Sequence, residues 1–494
     1  MKRRDRSILK YVLFIGLFAA AIFPGCKKYL DVNQNPNSPD NAKPELLLPT
    51  TEAAISQVVG NSFQVFGNIW AQYWTQNPNS SQYKTIDQYN PVNTDFDGAW
   101  LNLYRVTLVN ADLITKSQGP QLEYIKGIAY LMKAYAYQVT TDAFGDVPVT
   151  QALQGNVYGN PKYDQQQVVY DSIFVNIDKG LALIKTPNST SPGGQDMIFQ
   201  GNMDNWKAFA NTLKLRAYLR LSKVDPAKAQ AGIVALYATN PAFLTVDASI
   251  KYTSTGGNEN PLYNEIASPI LNKVQNMVAS STIINAFNTN NDPRANKFFD
   301  ILVDNFAPVD TLTSIPQGSY LLNTGKKVSS PSALVGANAT NPASATAPVK
   351  LISAAESYFL QAEAVARGWA TGDMLNLYQE GITASFIATD AGDPTTYIAT
   401  SPAGLPALAS ATTVEDKVKA IITQKYFAMC GFQGFEAWTE WRRTGYPTFF
   451  VTSVASVIGA DKMPLRMLYP NSEATTNTNF PGSVLVYIPV GWGK

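Results

Sequence analysis

The chain has 494 residues, 45% of them apolar and 11% aromatic, which is enough to bury a sizeable core and excludes global disorder. Only 15% of residues are charged, the net charge is +1, and no long basic run lies beyond the N-terminus, so nucleic acid is excluded as a partner class. There is no histidine, which removes Ser-His-Asp triads, Cys-His pairs, HExxH zinc sites and most transition-metal centres and leaves carboxylates, Lys and Tyr for any chemistry.

The first segment reads as a targeting signal. Lys2, Arg3, Arg4, Arg6 and Lys10 precede an apolar run of 13 residues, Tyr11 to Phe23. A membrane-spanning helix needs about 20. Phe23-Pro24-Gly25-Cys26 follows and resembles a bacterial lipobox, with Phe23 standing where Leu is usual. Cleavage before Cys26 makes residues 1–25 a lipoprotein signal peptide and Cys26 the lipidated residue. Cys430 is then left without a disulfide partner. It lies in an apolar helical stretch with no basic neighbour, so it reads as a small buried hydrophobe. Residues 27–45 are Asn- and Pro-rich and read as a tether.

Helical periodicity starts at about Leu46. Leu122, Ile125, Ala129, Met132, Ala136 and Val139 recur at spacings of three and four, as do Trp206 to Leu221 and Val414 to Met429. Shorter helices fit 98–116, 165–184, 227–238, 354–367 and 373–388. In the last pair, small residues (Ala355, Ala362, Ala366) allow close approach, Gly368 can end one helix and Gly372-Asp373 can start the next. That pair resembles a tetratricopeptide hairpin. Periodicity is lost over 75–97 and over a loop-rich insert, about 251–349. Residues 444–494 are loop-rich too, with VLVYIP as a short strand. Asn291-Asp292-Pro293-Arg294 reads as a turn into a helix, with Asp292 as N-cap and Pro293 at the first helical position. The expected whole is a signal peptide followed by one mainly α domain over 26–494. Its helical scaffold covers about 46–250 and 350–443.

The aperiodic segments hold the candidate binding residues. Flat aromatic rings flanked by amides pair apolar stacking faces with hydrogen-bond donors and acceptors, the make-up of a binding site rather than of a packed core. Residues 73–90 offer Trp74, Asn79, Tyr83 and Tyr89, residues 258–264 offer Asn258 and Tyr263, and residues 317–323 offer Tyr320 and Asn323. Trp438, Arg442 and Arg443 read instead as structural. Glu436 and Glu440, at i and i+4 of one helix, point the same way and are poorly arranged to flank a glycosidic bond. No EF-hand-like spacing is present, so no Ca²⁺ site is assigned and no other cofactor is expected.

Several ordered segments resemble the SusD/RagB family of outer-membrane glycan-binding lipoproteins: Cys26-Lys-Lys-Tyr-Leu-Asp-Val-Asn, FGNIWAQYWTQ, AFGDVPVTQAL, AEAVARGW, QKYFAMCGFQGFEAWTEWRRTGYP and PLRMLYPNSEATTN. The resemblance covers most of 26–480. It implies four tetratricopeptide-like helix pairs as scaffold, with long loop-rich insertions building the ligand face near the two loop regions named above. It also implies a lipid-anchored position in the outer membrane facing the cell exterior, a TonB-dependent SusC-like porin as partner, and no catalytic activity. Glycan is the first ligand class. Oligopeptide capture by the same architecture, and a carboxylate-based glycosidase, are the alternatives.

Overall fold

Helical periodicity becomes paired helices from Pro44 onward. A computed structural model describes residues 43–268, 273–302 and 311–493, so Cys26 and nearly all of the tether lie outside the described residues. Residues from Pro44 onward group as one unit. Helix α1 (Pro44–Gln57) runs through a π-helical turn (Val58–Ser62) into α2 (Phe63–Trp70). After an irregular passage, α3 (Asp97–Leu101) likewise runs through a π turn (Asn102–Leu108) into α4 (Val109–Lys116). The next helices form pairs: α5 (Glu123–Phe144) with α6 (Gln166–Ile184), α7 (Met203–Arg220) with α8 (Pro226–Tyr237), and α9 (Ala354–Ala366) with α10 (Met374–Thr389). Helices α11 (Val414–Met429) and α12 (Gly434–Thr444) close the series. Stacking continues between pairs, α6 on α7 and α9 on both α7 and α11. The fold is mainly α, as the periodicity predicts.

Local chemistry explains the boundaries. Asn202 caps α7 by accepting from the amides of Asp204 and Asn205, and Asp373 caps α10 through Leu375 and Asn376. Gly368 follows α9 with φ of +70°, the left-handed conformation that ends helices. Ala355, Ala362 and Ala366 lie in the core shared with Tyr378, Ile382 and Phe386. Helix α2 crosses the start of α12 so closely that a Cβ on Gly67 would lie 2.1 Å from the Phe435 amide nitrogen. Only glycine fits there.

Among the described residues four short strands complete the fold: β1 (Trp74–Gln76), β2 (Ala248–Ile250), β3 (Met277–Ala279) and β4 (Val349–Ile352). Strand β1 pairs antiparallel with β3, Thr75 opposite Val278, and β2 pairs antiparallel with β4.

Three local expectations change. The insert 251–349 is not structureless: its described residues hold the helices Pro261–Ile266, Ser281–Thr289 and Ala295–Phe298. The Asn and Ser residues that mask its periodicity act as caps. Asn260 accepts from Leu262 and Tyr263, and Ser280 accepts from Thr282. VLVYIP forms no strand: the Val486 carbonyl accepts from the amides of Leu465 and Arg466, and among the described residues no second strand pairs with it. The turn does lead into a helix, but that helix begins at Ala295 rather than at Pro293, and Asp292 Oδ1 accepts from the Arg294 amide at 3.0 Å. The Asp292 carboxylate pairs at 2.6 Å with Arg294, both fully buried, and the Arg294 guanidinium lies 4.9 Å from the Phe386 ring.

The polar interior is dense. Arg220 is fully buried between Asp142 (3.2 Å), Glu436 (2.6 Å) and Glu440. Arg443 joins Glu440 and Glu363 at 2.7 Å each, and Lys425 lies 3.2 Å from Glu440. Burial alone would raise these carboxyls. The adjacent Arg443, Lys425 and Arg220 hold Glu440 well below the usual carboxylate range.

Elsewhere in the interior one carboxyl, Glu52, shifts the other way. Glu52 of α1 and Asp196 are both fully buried, and Asp196 already accepts from the amides of Ile198, Phe199 and Gly201 and from Trp206 Nε1. Burial first, and the neighbouring Asp196 second, push Glu52 well above its ordinary value near 4.5. The folded chain thus binds a proton that the unfolded chain releases above about 4.5, so stability falls as pH rises toward the raised value. Glu52→Gln, which keeps the neutral shape, should flatten that decline in thermal melts between pH 5 and 8. An unchanged slope would assign the pH dependence elsewhere.

Candidate ligand face

Pairing of β1 with β3 draws the 77–90 loop, residues 273–276 and the 317–327 loop onto one face. The knot beneath is Asp87, fully buried, which accepts from Thr75 Oγ1 (2.5 Å), the Gln76 amide (2.9 Å) and Gln317 Nε2 (2.6 Å). Burial raises the Asp87 carboxyl, and these donors oppose the rise. The Gly318 amide donates to Thr75 Oγ1 at 3.0 Å, which fixes the start of the 318–327 loop.

The expected binding residues divide by exposure. Trp74, Tyr89 and Tyr320 are 0%, 0% and 1% exposed and Tyr83 is 6% exposed, so in this structure their rings present no free stacking face. The ring hydroxyls are engaged within the protein: Gln88 Nε2 donates to Tyr320 Oη at 2.9 Å, and the Tyr83 hydroxyl donates to Glu265 Oε1 at 3.1 Å. Tyr89 Oη accepts from the Ser453 amide at 3.1 Å. Asn79 is exposed and clamps the far loop, donating to the Lys326 carbonyl and accepting from the Gly325 amide, each at 3.0 Å. Asn323 is half-buried and donates to the Ser319 carbonyl at 2.9 Å. Tyr263 is half-buried on the helix whose Glu265 reaches Tyr83. Asn258 stands apart, exposed on a turn closed by its carbonyl accepting from the Thr253 amide at 2.9 Å.

The face also holds residues the sequence reading missed. Leu321 and Leu322 are 69% and 82% exposed. Val454 and Val457, also exposed, sit on a segment tied to the face by their amides, which donate to the carbonyls of Gln317 and Gln88 at 3.0 Å. A Leu-Leu pair inside a polar loop was the available signal. Exposed aliphatic side chains beside exposed Asn79, Gln82 and Lys326 give a surface that binds through apolar contact and hydrogen bonds. Among the described residues no group of three or more acidic or Cys side chains is placed to hold a metal ion.

The C-terminal helix has the structural role expected of it. Trp438 is fully buried, its Nε1 donates to the Pro464 carbonyl at 3.0 Å, and Arg442 stacks on its ring at 3.6 Å. Cys430 is free and fully buried, and burial pushes its thiol well up, away from nucleophilic use.

This helical array with its long loop segments is the architecture of a known protein family. The chain belongs to the SusD-like family, whose model, described as starch-binding and associating with the outer membrane, matches residues 36–470. Solved structures agree on the fold. A chitin-binding SusD homologue from Flavobacterium johnsoniae is 24% identical with a TM-score of 0.74, over 90% of this chain and 98% of that one. A SusD homologue from Bacteroides uniformis is 24% identical with a TM-score of 0.75, over 91% and 99%. A SusD/RagB family protein from Bacteroides thetaiotaomicron is 23% identical with a TM-score of 0.74, over 92% and 99%. No curated protein sequence matches the chain. Among the described residues no helix is long and apolar enough to cross a membrane.

Proposed function

We propose that the protein is a non-catalytic lipoprotein, anchored through Cys26 in the outer membrane and facing the cell exterior, that captures oligo- or polysaccharide and passes it to a TonB-dependent SusC-like porin. The observation that carries this reading is the match to a starch-binding, outer-membrane-associated family over 36–470. The chitin-binding neighbour of the same fold supports a glycan rather than a peptide. Capture rather than hydrolysis is supported by the engagement of Glu436 and Glu440 with buried Arg220, Lys425 and Arg443, which takes this carboxylate pair out of reach of a sugar. The candidate contacts are Asn79, Leu321, Leu322 and Asn323 around the buried Trp74, Tyr83, Tyr89 and Tyr320, with Tyr263 beside them; Asn258 stands apart from this face.

The test joins binding to anchoring. Purified protein should bind maltoheptaose or chitohexaose by calorimetry. Leu322→Asp, at a side chain 82% exposed and so dispensable for folding, should weaken binding about tenfold with melting unchanged. In cells, Cys26→Ala should abolish palmitate labelling and release the protein from the membrane fraction. Absence of binding to both sugars, or undiminished labelling of the Cys26 variant, would remove the corresponding half of the reading.

A further inference from the structure

A groove of about 660 Å³ runs between the β2–β4 ribbon and the α9–α10 pair, and it shares no residue with the loop face described above. Its size falls in the range of about 300–1,000 Å³ usual for ligand clefts. The wall is fixed. Asp247 pairs with buried Lys350 at 2.7 Å and accepts from the Ala354 amide at the start of α9 at 2.8 Å. Tyr252 is held by a 2.5 Å hydrogen bond between its hydroxyl and Ser56 Oγ.

The groups that open into the groove are unused by the protein. Tyr358 and Tyr252 are half-buried and line it with two rings. The Tyr358 hydroxyl, the Glu380 carboxylate, the Thr383 and Ser249 hydroxyls and the Lys251 ammonium have no hydrogen-bond or ion-pair partner among the described residues. Two rings and five polar groups without a partner among the described residues thus meet in one solvent-accessible concavity, free to bind a ligand. Glu380 and Lys251 cancel in formal charge, so the lining suits an uncharged ligand rich in hydroxyls better than a phosphate or an acid. The turn carrying Asn258 packs beside the groove: the Asn260 amide donates to the Ala345 carbonyl at 2.7 Å, and Asn260 Nδ2 donates to the Ala347 carbonyl at 2.9 Å, next to Thr346 and Pro348 of the lining.

We infer that this groove is a second carbohydrate-binding cleft, in which a neutral oligosaccharide stacks on Tyr358 and Tyr252 and hydrogen-bonds to Glu380, Thr383 and Ser249. The inference rests on the glycan reading above and adds a site to it. Two separate contacts on one chain would hold a long polysaccharide by avidity, more tightly than either alone.

The experiment titrates maltoheptaose and chitohexaose, separately, into the mature chain and into Tyr358→Ala, Glu380→Gln and Leu322→Asp, each with a thermal melt. Tyr358→Ala and Glu380→Gln should each weaken one sugar about tenfold, or remove one of two binding events, without lowering the melting temperature. If Tyr358→Ala melts early, Glu380→Gln and sugar-induced hydrogen-exchange protection of residues 245–252 decide the matter. Wild-type-like binding by both groove variants, with no such protection, overturns the cleft while leaving the glycan reading intact. Failure of the wild type to bind either sugar overturns both.

Discussion

Arg220→Met should destabilise the protein by about 3–5 kcal/mol, the usual cost of removing one partner from a buried charge cluster. Methionine keeps most of the side-chain volume, so the loss reports charge rather than cavity. The Arg220 guanidinium reaches Asp142, both oxygens of Glu436, and Glu440, with none of the four residues appreciably exposed. Without it, Lys425 and Arg443 still face Glu440, but Asp142 keeps only Tyr170 and Trp492 Nε1 as side-chain donors. Arg220→Lys should rescue little, because an ammonium cannot fork between carboxylates on two sides. Denaturant melts measure the change. Adding Glu436→Gln to Arg220→Met should recover part of it, since neighbours in one network do not add. A loss under about 1 kcal/mol would mean that the cluster is already wet.

Trp438→Ala should cost a similar amount, about 3–5 kcal/mol, by a different route. The indole is fully buried, packs 4.8 Å from the Trp70 ring centroid, carries Arg442 on its face and donates to the Pro464 carbonyl. Truncation opens a large cavity, orphans that carbonyl and strips one ring from the Arg442 guanidinium. Sugar affinity of the fraction still folded should be unchanged, because Trp438 contacts neither the loop face nor the groove. A variant that melts normally but loses affinity would return Trp438 to the binding site.

The scaffold was legible because it is local. Periodicity gave α5 to α11, and Gly368 with Gly372-Asp373 gave the α9–α10 turn. The binding surface was legible only by region. A cluster of rings and amides reads the same whether the amides meet a ligand or meet the rings, and here Gln88 serves Tyr320 while Gln317 Nε2 donates to the Trp74 carbonyl. Those contacts link residues more than 200 positions apart, beyond any periodic signal. The same distance hid the groove. Tyr252 belongs to a loop, Tyr358 and Glu380 to a hairpin read as scaffold, and only the pairing of β2 with β4 brings them together.

Most helical repeat arrays behave like a row of dominoes: each unit leans on the next, and an end unit can be removed without felling the rest. The buried ion cluster works against that. It takes Asp142 from α5, Arg220 from α7, Glu363 from α9, Lys425 from α11 and Glu436, Glu440 and Arg443 from α12. A chain that stops before α12 leaves Arg220 with only Asp142 and Glu363 with only Arg367, so the earlier pairs lose most of the partners that offset the desolvation of their buried charges. Helix α12 is thus a keystone, and the arch stands only when the last stone is set.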